Sequence, residues 1–323
     1  MSTSSPLLFA LPENQVMTER LALAIGAEVG ELSVRSFPDA ETYVRLKTDP
    51  KDRDVAVVCT LAEPNEKVLP LLFVVGAARA QGARSTGVVA PYLCYMRQDT
   101  QFHPGEAVTA RILADLISLE AQWLLTIDPH LHRISRLSEI YKIPATALHV
   151  AEAIGDWIRV HVPQPLIIGP DEESRQWARH VATTANAPFI VLRKERRSDT
   201  HVVVTLPDAP SEEGRTPVLV DDIISTGRTM IAALVQTQKR FPSTRASAVC
   251  IGVHALFTAG AHDAMLAAGA ARVVTTNTIP HFSNGIDITD PLASALRRQW
   301  TATGTTDRAE LQAVGDAETR VQA

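Results

Sequence analysis

The sequence predicts an α/β protein of two successive domains, each a largely parallel sheet flanked by helices. Three observations carry that expectation. Short β-branched and leucine runs alternate with longer stretches of helical apolar spacing, the pattern of strand–helix–strand units. The alternation restarts after a stretch bearing Pro144, Gly155, Pro163 and Pro165, and 323 residues suffice for two domains of ordinary size. Finally, the strand-like Val218–Val220 runs straight into Asp221 and Asp222, then Ser225-Thr226-Gly227-Arg228-Thr229, then a helical stretch. Such a turn lies at the carboxyl edge of a parallel sheet, where α/β folds bind ligands.

Taken in order, Leu7–Ala10 reads as a strand and Glu13–Ile25 as a helix with Val16, Leu21, Leu23 and Ile25 on its apolar side. Phe37–Leu46 alternates like an exposed hairpin. Asp54–Cys59 is a strand, Leu69–Ala80 a helix stopped at Gln81-Gly82, and Ser85–Ala90 a strand stopped by Pro91. Helix Glu106–Leu119 and strand Trp123–Ile127 follow, and Ile143–Asp156 reads as the domain boundary. Beyond it come strand Leu166–Ile168, helix Glu172–Ala185, strands Phe189–Leu192 and His201–Thr205, strand Val218–Val220 and helix Met230–Gln238. Strand Ala248–Val253, helix Ala259–Ala268 and strand Arg272–Thr276 complete the second half. The expected domains are therefore 1–150 and 151–300, with 301–323, polar and without period, as a mobile tail.

Bulk properties exclude several classes. A net charge of −5 supplies no global basic field for nucleic acid. Hydrophobic content of 46% with 21% charged residues describes a soluble globular chain, and no apolar run approaches the ~20 residues of a membrane span. Cys59, Cys94 and Cys250 are far apart and read as reduced core residues. The start, Met1–Pro6, lacks the basic and apolar segments of a secretion signal, so a cytoplasmic location is expected.

Three stretches carry chemistry. After Val218–Val220, the turn's N–H groups at a helix N-terminus can wrap a phosphate, with Thr226 and Thr229 adding hydroxyls. Asp221 and Asp222 can hold ribose hydroxyls or a Mg2+ that bridges to phosphate. The bland alternative is a strand ending in an acidic, N-capped turn. A Walker A loop is excluded, because the chain contains no Gly-Lys dipeptide. The second stretch is Pro91–Asp99, in which Arg97 can grip phosphate by a forked pair of hydrogen bonds and Gln98 can read a base edge. The third is Asp128-Pro129-His130-Leu131-His132 at a strand end; the spacing alone leaves both a metal-bound and a metal-free reading open. Arg193–Ser198 is a short basic run that by itself reads as a solvated turn.

These stretches resemble one family. Val218–Thr229 resembles the ribose-5-phosphate loop of type I phosphoribosyltransferases, and Pro91–Asp99 resembles the Arg-Gln-Asp motif of the ribose-phosphate pyrophosphokinases within that superfamily. Gly105–Leu116, Thr126–His130, Phe37-Pro38-Asp39-Ala40-Glu41, Lys194 with Arg196, and Thr275–Pro280 continue the likeness, which spans Phe9 to Pro280 in order. The resemblance implies two tandem phosphoribosyltransferase-like domains that convert ATP and ribose 5-phosphate to phosphoribosyl diphosphate and AMP. It implies Lys194 and Arg196 as catalytic, in a flexible loop. It implies ATP contacts at Arg97, Gln98 and Asp99, and at Phe37, Asp39 and Glu41 of a hairpin that reaches a neighbouring subunit. It places the sugar phosphate on Asp221, Asp222, Ser225, Thr226, Gly227, Arg228 and Thr229, and Mg2+ at His130 and Asp171. A homo-oligomer built from dimers follows from the hairpin.

The sequence departs from the family at four places. Glu172 and Glu173 follow Gly169-Pro170-Asp171 where small residues are usual, Ser225 replaces a common Asp, Arg228 a common glycine, and Pro129 the usual leucine. Extra carboxylates beside a phosphate site repel it unless a metal intervenes. The departures leave two alternatives beside the active enzyme: a weak, synthetase-associated regulatory homologue, or a phosphoribosyltransferase.

Overall fold

The computed structural model describes residues 5–196, 202–205, 214–241 and 248–304. The chain forms two compact units, one running to Leu148 and resuming at Thr289, the other His149–Ile288. The first holds a sheet of β1 (Leu7–Ala10), β2 (Glu28–Val29), β5 (Asp54–Val58), β6 (Ser85–Ala90), β7 (Trp123–Ile127) and β8 (Ala145–Leu148). Its order is β2-β1-β5-β6-β7-β8, and every pairing is parallel. Every residue of β5, β6 and β7 is buried, so both faces of the sheet are covered, as parallel sheets require. The helices of this unit are α1 (Gln15–Ile25), α2 (Val68–Ala80), α3 (Thr109–Glu120) and α8 (Thr289–Gly304). An antiparallel ribbon, β3 (Leu32–Ser36) with β4 (Thr42–Leu46), leaves after the second strand.

The second unit repeats this plan. Its strands are β9 (Pro165–Gly169), β10 (Phe189–Val191), β13 (Thr216–Ile224), β14 (Ala248–Ala255), β15 (Ala270–Thr276) and β16 (Asn284–Ile286), all parallel, in the order β10-β9-β13-β14-β15-β16. Ranked by appearance, both sheets run second, first, third, fourth, fifth, sixth. Here too an antiparallel ribbon, β11 (Arg193–Arg196) with β12 (Val202–Thr205), follows the second strand. Helices α4 (Ala151–His161) and α5 (Arg175–Ala185) pack together, α5 against β9. Leu219, Ile224 and Cys250 of the sheet pack with Met230 and Leu234 of α6 (Arg228–Arg240) and Met265 of α7 (Ala261–Ala267).

Several expectations change. The division falls after Leu148, inside a stretch that holds a strand and a helix, and α8 joins the first unit. Its Leu292, Ala293, Leu296 and Trp300 are buried at helical spacing, and Thr289 Oγ1 lies 4.0 Å from Met17 Sδ of α1. That packing sets the buried side of α1: Met17, Thr18, Leu21 and Ala22 are inside, whereas Val16 and Leu23 are 64% and 88% exposed. Thr301–Gly304 extend α8, and 305–323 lie outside the described residues. The acidic pair sits within β13, not after it.

In each sheet the chain leaves the first and third strands in opposite directions, which opens a crevice at their carboxyl ends. In the first unit that crevice is closed. Cys59 and Leu61 are fully buried, and buried Asn14 accepts from the Thr60 N–H at 2.8 Å while donating to the Pro12 carbonyl at 2.8 Å.

Gly87, in the middle of β6, is forced by packing. A Cβ there would lie 2.0 Å from the ring of Trp123, which is buried and donates to Ser85 Oγ at 3.0 Å. We expect Gly87→Ala to lower unfolding free energy by roughly 1–3 kcal/mol, the usual cost of overpacking, read from the urea midpoint at unchanged slope; an unchanged midpoint would contradict this packing.

Candidate functional site

In the second unit the crevice is open and acidic. The last rung between β9 and β13 is Ile168 with Leu219, while β13 continues against β14 alone through Ile224. Asp221 and Asp222 stand on that extension, and the Asp222 N–H donates to Asp221 Oδ1 at 3.1 Å. Asp171 stands two residues beyond the end of β9. Its carboxylate accepts from the Ser174 N–H at 3.2 Å, and Ser174 Oγ accepts from the Asp171 N–H at 3.4 Å, a reciprocal cap that fixes the turn into α5. Lost hydration, followed by the nearby charges of Asp222 and Asp171, pushes the Asp221 carboxyl well above the usual carboxylate range. Asp171, Asp221 and Asp222 are close enough for their charges to act on one another, which favours a cation or a ligand rich in hydroxyl donors.

Beside them, Ser225–Gly227 turns the chain into α6. Gly227 holds φ +71°, a conformation open to glycine, and a Cβ there would press to 3.3 Å on Met265 of α7. The Thr258 N–H donates to the Ser225 carbonyl at 3.2 Å, anchoring the turn from the α7 side. Thr226, Arg228 and Thr229 are exposed at the N-terminus of a 13-residue helix, where unpaired N–H groups and the helix dipole favour an anion. Glu172, an apparent obstacle in the sequence, is engaged by a forked ion pair with Arg175, whose Nη2 lies 2.8 Å from Oε2. The Glu173 side chain lies outside the described residues.

The first unit presents a different edge. In the turn after β6, Tyr95 has φ +62° and donates its hydroxyl to Asn65 Oδ1 at 2.5 Å, while the Gln98 N–H donates to the Tyr95 carbonyl at 3.0 Å. Arg97 is exposed and Gln98 half-buried, but Asp99 is buried. The Asp99 carboxylate accepts from the Arg133 N–H at 3.0 Å and from Arg133 Nη1 at 3.2 Å. Burial pushes its carboxyl up, yet these bonds outweigh burial and hold it below the usual range. Arg133 belongs to the turn after β7, where Asp128 has φ +33° and donates its N–H to the Leu148 carbonyl at 2.8 Å. The rings of His130 and His132 lie near-parallel with centroids 6.4 Å apart.

The ribbon tip Phe37–Glu41 is exposed throughout. The Phe37 N–H donates to the Glu41 carbonyl at 2.8 Å, Asp39 Oδ1 accepts the Glu41 N–H at 3.2 Å, and Arg35 lies 4.7 Å over the Phe37 ring. Lys194 and Arg196, expected in a loop, occupy β11, opposite Val204 and Val202 of β12. The residues between the two strands, 197–201, lie outside the described residues. Thr276 and Thr278 both donate to the Val253 carbonyl, at 2.7 and 3.1 Å, so the Thr275–Pro280 stretch ties strand ends together. Sequence reasoning missed Arg133; its position shortly after His130 is the one signal that pointed to it.

Among the described residues, no three His, Cys, Asp or Glu side chains form a ready-made metal cluster. The carboxylates that are present suit a hard divalent cation held together with phosphate oxygens. No helix among them is long and apolar enough to cross a membrane.

Fold and sheet edge together define a tandem phosphoribosyltransferase-type α/β protein. The N-terminal domain of ribose phosphate pyrophosphokinase matches residues 7–120, and the phosphoribosyl transferase domain matches residues 136–290. A ribose-phosphate pyrophosphokinase of Methanopyrus kandleri is 33% identical over 90% of this chain and 98% of its own. One of Sulfolobus acidocaldarius is 31% identical over 87% of this chain and 95% of its own. The crystal structure of phosphoribosylpyrophosphate synthetase from Mycobacterium smegmatis superposes with a TM-score of 0.80 at 20% identity, over 93% of this chain and 100% of that one, which shows the shared fold. The chain belongs to the ribose-phosphate pyrophosphokinase family.

A raised Asp221 carboxyl means the folded state binds a proton more tightly than the unfolded chain. Its penalty is absent below the unfolded pKa and grows as pH rises toward the folded value. We expect Asp221→Asn to raise the urea midpoint of the ligand-free protein near neutral pH, with the gain vanishing in acid. A midpoint gain that is independent of pH would contradict this origin.

Proposed function

We propose that the protein is a ribose-phosphate diphosphokinase, which transfers the β,γ-diphosphoryl group of ATP to the 1-hydroxyl of ribose 5-phosphate and releases AMP. The observation that carries the reading is the second unit's open crevice, with Asp221 and Asp222 beside a phosphate-ready helix N-terminus. On this reading Ser225–Thr229 hold the 5-phosphate through backbone N–H groups and the hydroxyls of Thr226 and Thr229. Arg228, exposed in the first turn, adds a cation to the same anion. Asp221 and Asp222 accept from the ribose hydroxyls and orient the 1-hydroxyl.

Arg97 and Gln98 hold ATP, and Phe37, Asp39 and Glu41 complete a neighbouring subunit's ATP site, which calls for a homo-oligomer built from dimers. His130 in the first unit and Asp171 in the second would each offer a donor to Mg2+, which when bound would supply positive charge against the phosphate oxygens. Lys194 and Arg196 neutralise the charge that develops as the 1-oxygen attacks the β-phosphorus and AMP departs. Such a reaction depends on alignment and charge stabilisation more than on covalent chemistry. The same reading places the protein in the cytoplasm, where ATP and sugar phosphates are supplied.

Product analysis tests it. With Mg-ATP and ribose 5-phosphate, we expect AMP and phosphoribosyl diphosphate in equal amounts; ATP binding without AMP would reject catalysis. Lys194→Ala should lower kcat by roughly 10²–10³-fold, the scale of losing one transition-state donor, at unchanged Tm. Turnover near wild type would remove Lys194 from the mechanism.

A further inference from the structure

We propose that Arg133 is a positioning residue for the ATP half of the reaction, latching through Asp99 the turn that carries Arg97 and Gln98 to the turn that carries His130. The inference rests on the diphosphokinase reading and extends it to a residue outside the motifs.

Asp99 is 7% exposed, and a carboxylate at that depth must be paired or hydrogen-bonded. Arg133 answers both oxygens: its N–H meets Oδ2 at 3.0 Å and its Nη1 meets Oδ1 at 3.2 Å. The two contacts come from one residue, so they fix its backbone and its side chain together. Asp99 follows Gln98 directly, and Arg133 lies three residues beyond His130. A single carboxylate thus ties two turns that the sheet alone leaves separate.

A third segment joins them. The Arg133 guanidinium lies 5.1 Å over the ring of Phe102. The Phe102 N–H donates to Glu106 Oε2 at 2.8 Å, and Glu106 also accepts from the His103 N–H at 3.1 Å. The Ala110 N–H, in the first turn of α3, reaches the Gln98 carbonyl at 3.4 Å.

Both turns need such a constraint. Tyr95 and Asp128 are non-glycine residues at φ +62° and +33°. Backbone of this kind persists only where the surroundings over-determine it. The Arg133 side chain is 50% exposed and that of Asp99 only 3%, but the backbone N–H of residue 133, at 3.0 Å, still bonds the carboxylate when the guanidinium is removed, which limits the loss of global stability. Its effect falls on loop geometry, and therefore on ATP rather than on folding or on the sugar, whose proposed binding residues belong to the other unit.

The test compares Arg133→Ala, Arg133→Lys, Asp99→Asn and the double variant Arg133→Ala/Asp99→Asn. The readouts are calorimetric binding of Mg-ATP, KM for each substrate, and Tm. We expect Arg133→Ala to weaken ATP about tenfold while the ribose 5-phosphate KM stays within about twofold and Tm barely moves. Arg133→Lys should recover part of the loss, and the double variant should be no worse than Asp99→Asn alone. ATP binding unchanged in Arg133→Ala overturns the inference, as does a loss shared equally by both substrates together with a fall in Tm. A wild-type protein that releases no AMP overturns the functional reading and the inference with it; one that turns over while Arg133→Ala matches it overturns the inference alone.

Discussion

Where β13 outruns β9, a parallel sheet opens an acidic edge. Beyond Leu219 the strand keeps one neighbour, β14, and its other edge faces the turn at Asp171. Chain connectivity enforces this opening, since β9 continues toward β10 and β13 toward β14. The opening also fixes the electrostatics. Like charges at Asp171, Asp221 and Asp222 are held together by backbone that the sheet and the Ser174 cap determine. That arrangement costs the free protein stability, as clustered like charges at sheet edges do.

The two units show how little of a fold is committed to a function. Their strand orders and added ribbons agree, yet the equivalent crevice of the first unit is filled by Asn14, Cys59 and Leu61. Its polar groups emerge instead from the turns after β6 and β7, one and two strands away. The ribbons diverge likewise: one presents an exposed tip at Phe37–Glu41, the other carries Lys194 and Arg196 along a strand. What repeats is the part dictated by covering both faces of a parallel sheet; what differs lies at strand ends and loops, where substitutions leave the core untouched.

Strands were the most legible elements, because a fully buried parallel strand is short and rich in apolar and β-branched residues. Leu7–Ala10, Ser85–Ala90 and Trp123–Ile127 were read to the residue. Helices α4 and α8 were not read. Gly155 in α4 resembles a breaker, but it is buried, and a Cβ there would meet Thr184 at 2.5 Å. Helix α8 begins Thr289-Asp290-Pro291, a recognisable start, yet its buried side is defined by packing on α1, which local sequence does not reveal. At the site, the acidic pair and the hydroxyl turn were legible because phosphate chemistry restricts residue types at that spacing. Arg133 was not, because a positioning role depends on contact across thirty-four residues of chain. The Glu172–Arg175 ion pair was not legible either, since a sequence does not show that Arg175, three residues on, takes up the Glu172 charge.

The return of α8 to the first unit has a consequence for how the chain matures during synthesis. Protein leaves the ribosome from its N-terminus, and domains ordinarily finish in that order. Here the second unit is an insertion in the first, complete once Ile288 has emerged, whereas the first still awaits the helix that covers Met17 and its neighbours. The inserted unit therefore becomes self-sufficient first. Its host spends that interval with the α1 surface bare.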